Sequence, residues 1–363
     1  MNTFLWIKIF LAISAGIVVT EAGFKIFSDC KLSGIAYDEH LGWRLKKNYE
    51  MEMKDERNPE KSKRRVSFNS RGFRDKDHLV EKDGITKRVM FLGDSYTAGT
   101  AYSNDEIFTS VFDRMLNAKT GGLVKYEVMN VSVPAWSTDQ QYLYLKREGM
   151  RYHPDYIFLI IAPNDIRETY GKKFFSIRDG HLEEKGASSI PSKTRLYWAL
   201  ANYSCVFQYL QSKLKKQYGS FSNVFQYFPI SFRVGEEMCN DKHLFLKEVP
   251  DEIIAARELF KAILLEINRL CKNNHCKLLL TIIPTKIEYD GSLKEERYQP
   301  GKIAQYIKAI AEKETIPFLD LGFNLEAEED DPLKIFIAAE YHLNEYGHAF
   351  VAKKLLPFFT RNQ

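Results

Sequence analysis

Cysteine is scarce in this chain, five in 363 residues. The five are scattered, which excludes the disulfide framework that holds many small secreted domains together. Neither sign of charge dominates: 52 basic and 48 acidic side chains leave a net charge of +4. The two signs are interspersed, so the composition makes no case for a nucleic-acid partner. The densest basic run, Lys61 to Arg65, lies in a polar stretch and reads as a solvated loop; the alternative is contact with acidic headgroups or an acidic polymer. No internal repeat or low-complexity tract is present. Nucleotide motifs are missing too: GDSYTAGT at 93–100 has neither the Gly-Lys-Ser/Thr ending of a P-loop nor the G-x-G-x-x-G spacing of a dinucleotide fold. Cys271 and Cys276, in CKNNHC, flank a helix-to-strand turn and could pair in an oxidising compartment, but structural or unpaired cysteines are the expectation. His275 between them lacks further ligands at metal-binding spacing, so neither a metal site nor a cofactor is expected.

One long apolar run is present. Residues 4–20 are apolar apart from Lys8 and a few hydroxyls, and as a helix they would reach roughly 25 Å, near the lower limit for a membrane span. The pattern continues through Ala22, Phe24 and Phe27, which favours an uncleaved anchor. A signal peptide cut after Thr20-Glu21-Ala22 is the competing reading, and a buried helix of a soluble protein a third. Anchor and signal both place the rest of the chain across a membrane, at the cell surface or in the periplasm if retained and secreted if cut. The chain therefore divides into an anchor or signal segment at 1–23, a polar extension at 24–85 and a main domain at 86–363.

In the main domain, short apolar runs alternate with amphipathic stretches. Strands are expected at 88–92, 126–133, 156–162, 277–283 and 316–321, and helices at 106–117, from 137, at 251–271, 302–312 and 345–359. Ser137 and Gln140 form a capping-box pattern at the start of the second helix. Runs such as YIFLIIA are apolar on both faces, as in parallel strands covered by helices on each side. The fold expected is a three-layer α/β/α sandwich with a flavodoxin-like parallel sheet of about five strands. The rhythm breaks at about 166–250, a stretch rich in Phe, Tyr, Lys and Ser with one helix near 196–216. This reads either as a cap over the site or as extra packing.

Ligands in open parallel sheets bind beyond the carboxyl ends of the strands. Gly93-Asp94-Ser95, Val133-Pro134-Ala135 and Pro163-Asn164-Asp165 stand at such ends, and Glu340-Tyr341-His342 precedes the last helix. A serine hydroxyl needs a neighbouring base to become a nucleophile. His342 can take the Ser95 proton and return it to a leaving group, and Glu340 can orient the imidazole. The backbone N–H groups of Ser95 and Ala135 and the amide of Asn164 can receive an oxyanion. Gly93 and Gly99 let the serine loop bend tightly. His348 reads as a structural histidine.

GDSYTAG, NVSVPAWSTDQQ, APND and EYHLNEYGH, taken in order, resemble the four signature blocks of the SGNH/GDSL hydrolase superfamily. The resemblance covers about residues 87–360. YDEHLGWRLKKN and FNSRGFRD are similar to the N-terminal extension of its membrane-anchored bacterial members. It implies Ser95 as nucleophile, His342 as base, and Ala135 and Asn164 as oxyanion donors, with Gly93, Asp94 and Asp165 in support. Three positions depart from the family pattern: Ala135 replaces a glycine, Ala162-Pro163 replaces the usual Gly-x before Asn-Asp, and Glu340 stands where an aspartate is usual. A backbone carbonyl could orient His342 instead. The activity implied is hydrolysis of acyl or acetyl esters, possibly of envelope carbohydrate. The alternatives are O-acyl transfer to a polysaccharide and a non-catalytic envelope-binding role.

Overall fold

The computed structural model describes residues 3–27, 34–53, 64–99, 102–186, 192–210, 241–323, 325–338 and 341–363. The elements begin with helix α1 (Thr3–Phe27) and strands β1 (Ile35–Asp38), β2 (Gly42–Leu45), β3 (Tyr49–Met53), β4 (Arg64–Phe68) and β5 (Thr86–Gly93). Helices α2 (Ser95–Ala98) and α3 (Phe108–Thr120) lead to β6 (Lys125–Ser132), α4 (Thr138–Arg147) and β7 (Tyr156–Ile161). Next come α5 (Asn164–Lys172), β8 (Phe175–Arg178), β9 (His181–Glu184) and α6 (Ser192–Tyr203). The last third holds α7 (Asp251–Asn273), β10 (Lys277–Ile282), α8 (Lys302–Glu314), β11 (Phe318–Asp320), α9 (Leu325–Glu328) and α10 (Glu345–Arg361).

The chain forms two compact units, one of residues 1–44 and 190–231 and the other of 45–189 and 232–363. In the first, α1 runs unbroken past Thr20-Glu21-Ala22. Near its end the Glu21 carboxylate accepts from the Ser204 hydroxyl and the N–H groups of Cys205 and Val206, capping a helical stretch at 205–210. Cys205 is disulfide-bonded. Asp38 closes the β1–β2 turn by accepting from the His40 and Leu41 N–H groups and from Arg44 Nε. Ile17, Val18, Val19, Ile26 and Phe27 of α1 are exposed. Among the described residues no helix is long and apolar enough to cross a membrane.

The second unit is built on a five-stranded sheet in the order β11-β10-β7-β5-β6, with every pair parallel. This is the flavodoxin-like arrangement, and all five expected strands lie within a few residues of their expected bounds. From β5 the chain steps one way to β6 and then returns past β5 to β7. Right-handed crossovers therefore put α3 and α4 on opposite faces. Side chains on one face of β5 and β7 show why the strands bury. Phe91 and Phe158 stack at 4.6 Å, and Phe108, Phe112, Phe358 and Phe359 close around them from α3 and α10. Each such ring removed from water contributes about 2 kcal/mol or more. Met90, Leu92, Ile157, Leu159 and Ile161 alternate with that face and are equally buried.

Two expectations are corrected and one is met. The Ser137 hydroxyl does not cap α4; it donates to Asp139 Oδ1 at 2.7 Å. Cys271 and Cys276 are unpaired, as expected, and buried; the Cys276 thiol lies 3.5 Å from the Cys271 carbonyl. Of the basic run, Arg64 and Arg65 belong to β4, which pairs antiparallel with β3, and Arg65 pairs with Glu50; residues 61–63 lie outside the described set. Residues 211–216 of the helix expected at 196–216 also lie outside it.

A charged cluster braces the amino ends of the strands. Arg88 is buried, pairs with Glu127 at 2.5 Å and donates to the carbonyls of Leu79, Val80, Glu81 and Tyr152. His78 sits between Glu127 at 2.6 Å and Asp75 at 2.9 Å. Burial alone would lower its imidazole, but hydrogen bonds and charges from the two carboxylates raise it to about 9 from 6.5. The folded state thus holds a proton that the unfolded chain releases near pH 6.5. This contribution, on the order of 2–3 kcal/mol, is complete below pH 6.5 and is lost as pH rises through about 9. Urea midpoints of wild type and His78→Gln, measured from pH 6 to 10, should converge at the alkaline end. A gap that stays constant with pH would show that His78 is neutral.

Candidate active site

Ser95 opens α2 at the carboxyl end of β5, and two glycines shape the turn that presents it. A Cβ on Gly93 would lie 2.1 Å from Thr97 Oγ1. Gly99 ends α2 at φ +62, and a Cβ there would lie 2.1 Å from Ile107 Cγ2. Between them Asp94, fully buried, accepts from the Tyr96 N–H at 2.9 Å. Arg74 braces the far side of the loop. Its buried guanidinium donates to the carbonyls of Ala98, Gly99 and Tyr102 and to Asn104 Oδ1.

His342 reaches Ser95 from the loop before α10, with Nε2 2.9 Å from Ser95 Oγ. A short antiparallel bridge between Phe336 and Leu343 holds this loop, as does the Ile337 N–H donating to the His342 carbonyl at 2.9 Å. Lys286 adds bonds from Nζ to the carbonyls of Ile337 and Ala338. The Tyr96 ring lies 5.3 Å from the imidazole. Glu340 lies outside the described residues. His348, the last residue of the same block, is fully buried and accepts from the Phe108 N–H at 3.3 Å. Burial and the charge of Arg74 push it down to about 3, so it is a neutral structural histidine.

The other two expected donors stand at the ends of β6 and β7. Val133 to Trp136 is a tight turn closed by a 3.0 Å bond from the Trp136 N–H to the Val133 carbonyl. Pro134 takes its second position and Ala135, at φ +60, its third. That third position suits glycine, and an L-residue there costs about 1–2 kcal/mol. Asn164 opens α5, and its Nδ2 donates to Glu168 Oε1 at 3.0 Å. Asp165 is fully buried and accepts from the Ala162 N–H at 3.1 Å. Burial, with the charge of Glu168 acting in the same sense, pushes Asp94 up to about 7 against the pull of the Tyr96 N–H, Lys172 and Asn164. Burial and the neighbouring Asp94 raise Asp165 further above the carboxylate range.

Sequence reasoning missed two residues that join these donors. Lys172 is buried, and its Nζ donates to the Ala135 carbonyl at 2.6 Å and to Ser137 Oγ at 2.6 Å, with Glu168 Oε2 at 3.4 Å. Asn164, Glu168 and Lys172 recur every four residues, one stripe of α5. That spacing was the available signal, but it begins where the alternating pattern breaks and reads as insertion. Ser95, Ala135, Asn164 and His342 are each half-buried among buried neighbours. The arrangement therefore offers a solvent-reachable hydroxyl beside a base. Beyond the ends of β7, β10 and β11 opens a cavity of about 710 Å³. Phe323, Tyr289, Asp320, Glu326 and Gln305 are among its lining residues.

No family model and no curated protein matches this chain. Solved structures similar to it include TesA, 11% identical over 76% of this chain and 100% of TesA, with a TM-score of 0.44. Another is an acetylxylan esterase from Geobacillus stearothermophilus, 14% identical over 75% of this chain and 93% of its own, with a TM-score of 0.42. A GDSL-like lipase from Bacteroides thetaiotaomicron is 12% identical over 76% of this chain and 89% of its own, with a TM-score of 0.39.

Proposed function

We propose that this protein is a serine-dependent enzyme that cleaves or transfers acyl esters. The observation that carries the reading is the 2.9 Å contact between Ser95 Oγ and His342 Nε2 at the carboxyl edge of a parallel sheet. In the first half-reaction His342 takes the hydroxyl proton as Ser95 Oγ attacks the ester carbonyl. The oxyanion faces the N–H groups of Ser95 and Ala135 and the Asn164 amide. His342 then protonates the departing alcohol, leaving an acyl-Ser95 ester. Glu340, two residues before His342, is the proposed partner of the imidazole. In the second half-reaction water attacks the acyl group, with His342 again taking and returning the proton.

A sugar hydroxyl in place of water gives O-acyl transfer. The cavity beyond β10 and β11 favours a carbohydrate on the alcohol side, because aromatic rings and carboxylate or amide acceptors suit a polyol. Helix α1 is not long and apolar enough to cross a membrane, but its exposed Ile17, Val18, Val19, Ile26 and Phe27 make it the proposed segment of attachment to a membrane surface. The disulfide at Cys205 fits an oxidising compartment on the far side of the membrane.

One experiment tests both parts. A fluorophosphonate probe added to fractionated cells should label the full chain in washed membranes, and Ser95→Ala should not label. Equal labelling of both proteins would remove the enzyme and leave an envelope-binding role. Labelled chain released by the wash would remove the attachment.

A further inference from the structure

Ala135 occupies a turn position made for glycine, and the structure shows what holds it there. Its carbonyl oxygen lies 2.6 Å from Lys172 Nζ, and the same Nζ grips Ser137 Oγ on the other side of the turn at 2.6 Å. The Ser137 hydroxyl passes the tie on to Asp139 Oδ1 at 2.7 Å, and Asp139 also accepts from the Gln140 N–H at 2.8 Å. The loop between β6 and α4 is thus pinned to α4 at one end and to α5 in the middle. Lys172 is almost wholly enclosed, its side chain only 2% exposed. It cannot sample alternatives as a surface lysine does. One turn back along α5, Glu168 contacts Lys172 with one carboxylate oxygen and receives the Asn164 amide on the other.

We propose that Lys172 is a positioning residue of the oxyanion hole, holding the Ala135 peptide in its left-handed turn and, through Glu168, fixing it relative to the Asn164 amide. The inference rests on the acyl-ester reading of Ser95. Lys172 touches neither the serine nor the imidazole. It acts through the carbonyl of the residue whose N–H meets the oxyanion. The gripped carbonyl shares its planar peptide unit with the Trp136 N–H, which closes the turn on the Val133 carbonyl, so the grip limits rotation of this turn. A glycine would keep the positive φ without help. The chain carries alanine, and the lysine supplies the restraint that alanine lacks. Glu168 makes the restraint common to both donors. The backbone N–H from β6 and the side-chain amide from β7 then keep a fixed separation as charge develops on the oxygen between them.

The test is a cycle of Lys172→Met and Ala135→Gly, assayed on a chromogenic acetate ester with unfolding midpoints measured alongside. Lys172→Met should lower kcat about 100-fold while KM changes less than about threefold, since oxyanion donors act in the transition state. In the Ala135→Gly background the same substitution should lower kcat less than about tenfold. A folded Lys172→Met enzyme with wild-type kcat would overturn the proposal, and so would an equal loss in the glycine background. If Lys172→Met fails to fold, the double variant decides: folded and active, it supports the proposal; unfolded as well, it makes Lys172 a general stability element and overturns it. Failure of the underlying reading looks different. Wild type would then neither turn over the ester nor accept the fluorophosphonate at Ser95.

Discussion

Ser95→Ala should lower kcat on a chromogenic acetate ester by roughly 10⁶-fold while the unfolding midpoint stays within about 1 kcal/mol of wild type. The size follows from what the alanine removes. Without Oγ no acyl-enzyme forms, and residual catalysis comes only from the oxyanion donors and from substrate binding. His342→Ala should be nearly as damaging, because a hydroxyl 2.9 Å from nothing that can take its proton reverts to a weak nucleophile. The double variant should be scarcely worse than either single one, since the two groups act as a unit. Measuring all three variants against wild type is therefore more informative than any one of them. Losses that multiplied, or a Ser95→Ala enzyme within tenfold of wild type, would mean that the chemistry lies elsewhere.

The second large effect should come from a residue that touches no substrate. Arg74→Met should destabilise the protein by about 3–5 kcal/mol in urea unfolding. It leaves the carbonyls of Ala98, Gly99 and Tyr102 without their donor in a buried place. Burial already pushes this guanidinium down to about 10, with Glu106 opposing the shift, which shows how little water reaches it. Arg74→Lys should recover only part of the loss, because a single ammonium cannot serve carbonyls spread along a fork. The same variants should lower kcat, since the loop that Arg74 gathers carries Ser95 at its start. An Arg74→Met protein with a wild-type midpoint would show that the loop holds itself.

These residues mark the limit of what the sequence discloses. The five strands were legible because runs such as 156–161 are apolar on both faces, a pattern that only a covered parallel sheet sustains. Ser95, Ala135, Asn164 and His342 were legible from their places at the ends of those elements, and the structure brings Ser95 and His342 together. Arg74 and Lys172 were not. Arg74 donates chiefly to backbone carbonyls, which every residue has, and Lys172 to one carbonyl and to Ser137, 35 positions away in the chain. Both also lie in polar stretches that read as an extension and an insertion. Ser137 shows the opposite failure. Its spacing to Gln140 matches a capping box, but a lysine 35 positions later takes the hydroxyl as an acceptor and turns its proton toward Asp139. Local pattern lost to a tertiary contact that no local window contains.

The strand order β11-β10-β7-β5-β6 carries a consequence for how such a protein can diversify. Chain reversal between β5 and β7 opens a crevice there, and the serine and the asparagine stand on its two banks. The cavity, by contrast, is walled by the segments that follow β10 and β11, farther along the sheet. On the proposed function, the serine and asparagine and most of the cavity wall are thus carried by different strand ends, with Pro163 beside Asn164 reaching both. Insertions or exchanges at 284–305 and 320–327 can retune which alcohol is accepted while leaving Ser95, Ala135 and Asn164 on untouched strand ends. Selection, or a loop-grafting library, can vary the one half without renegotiating the other.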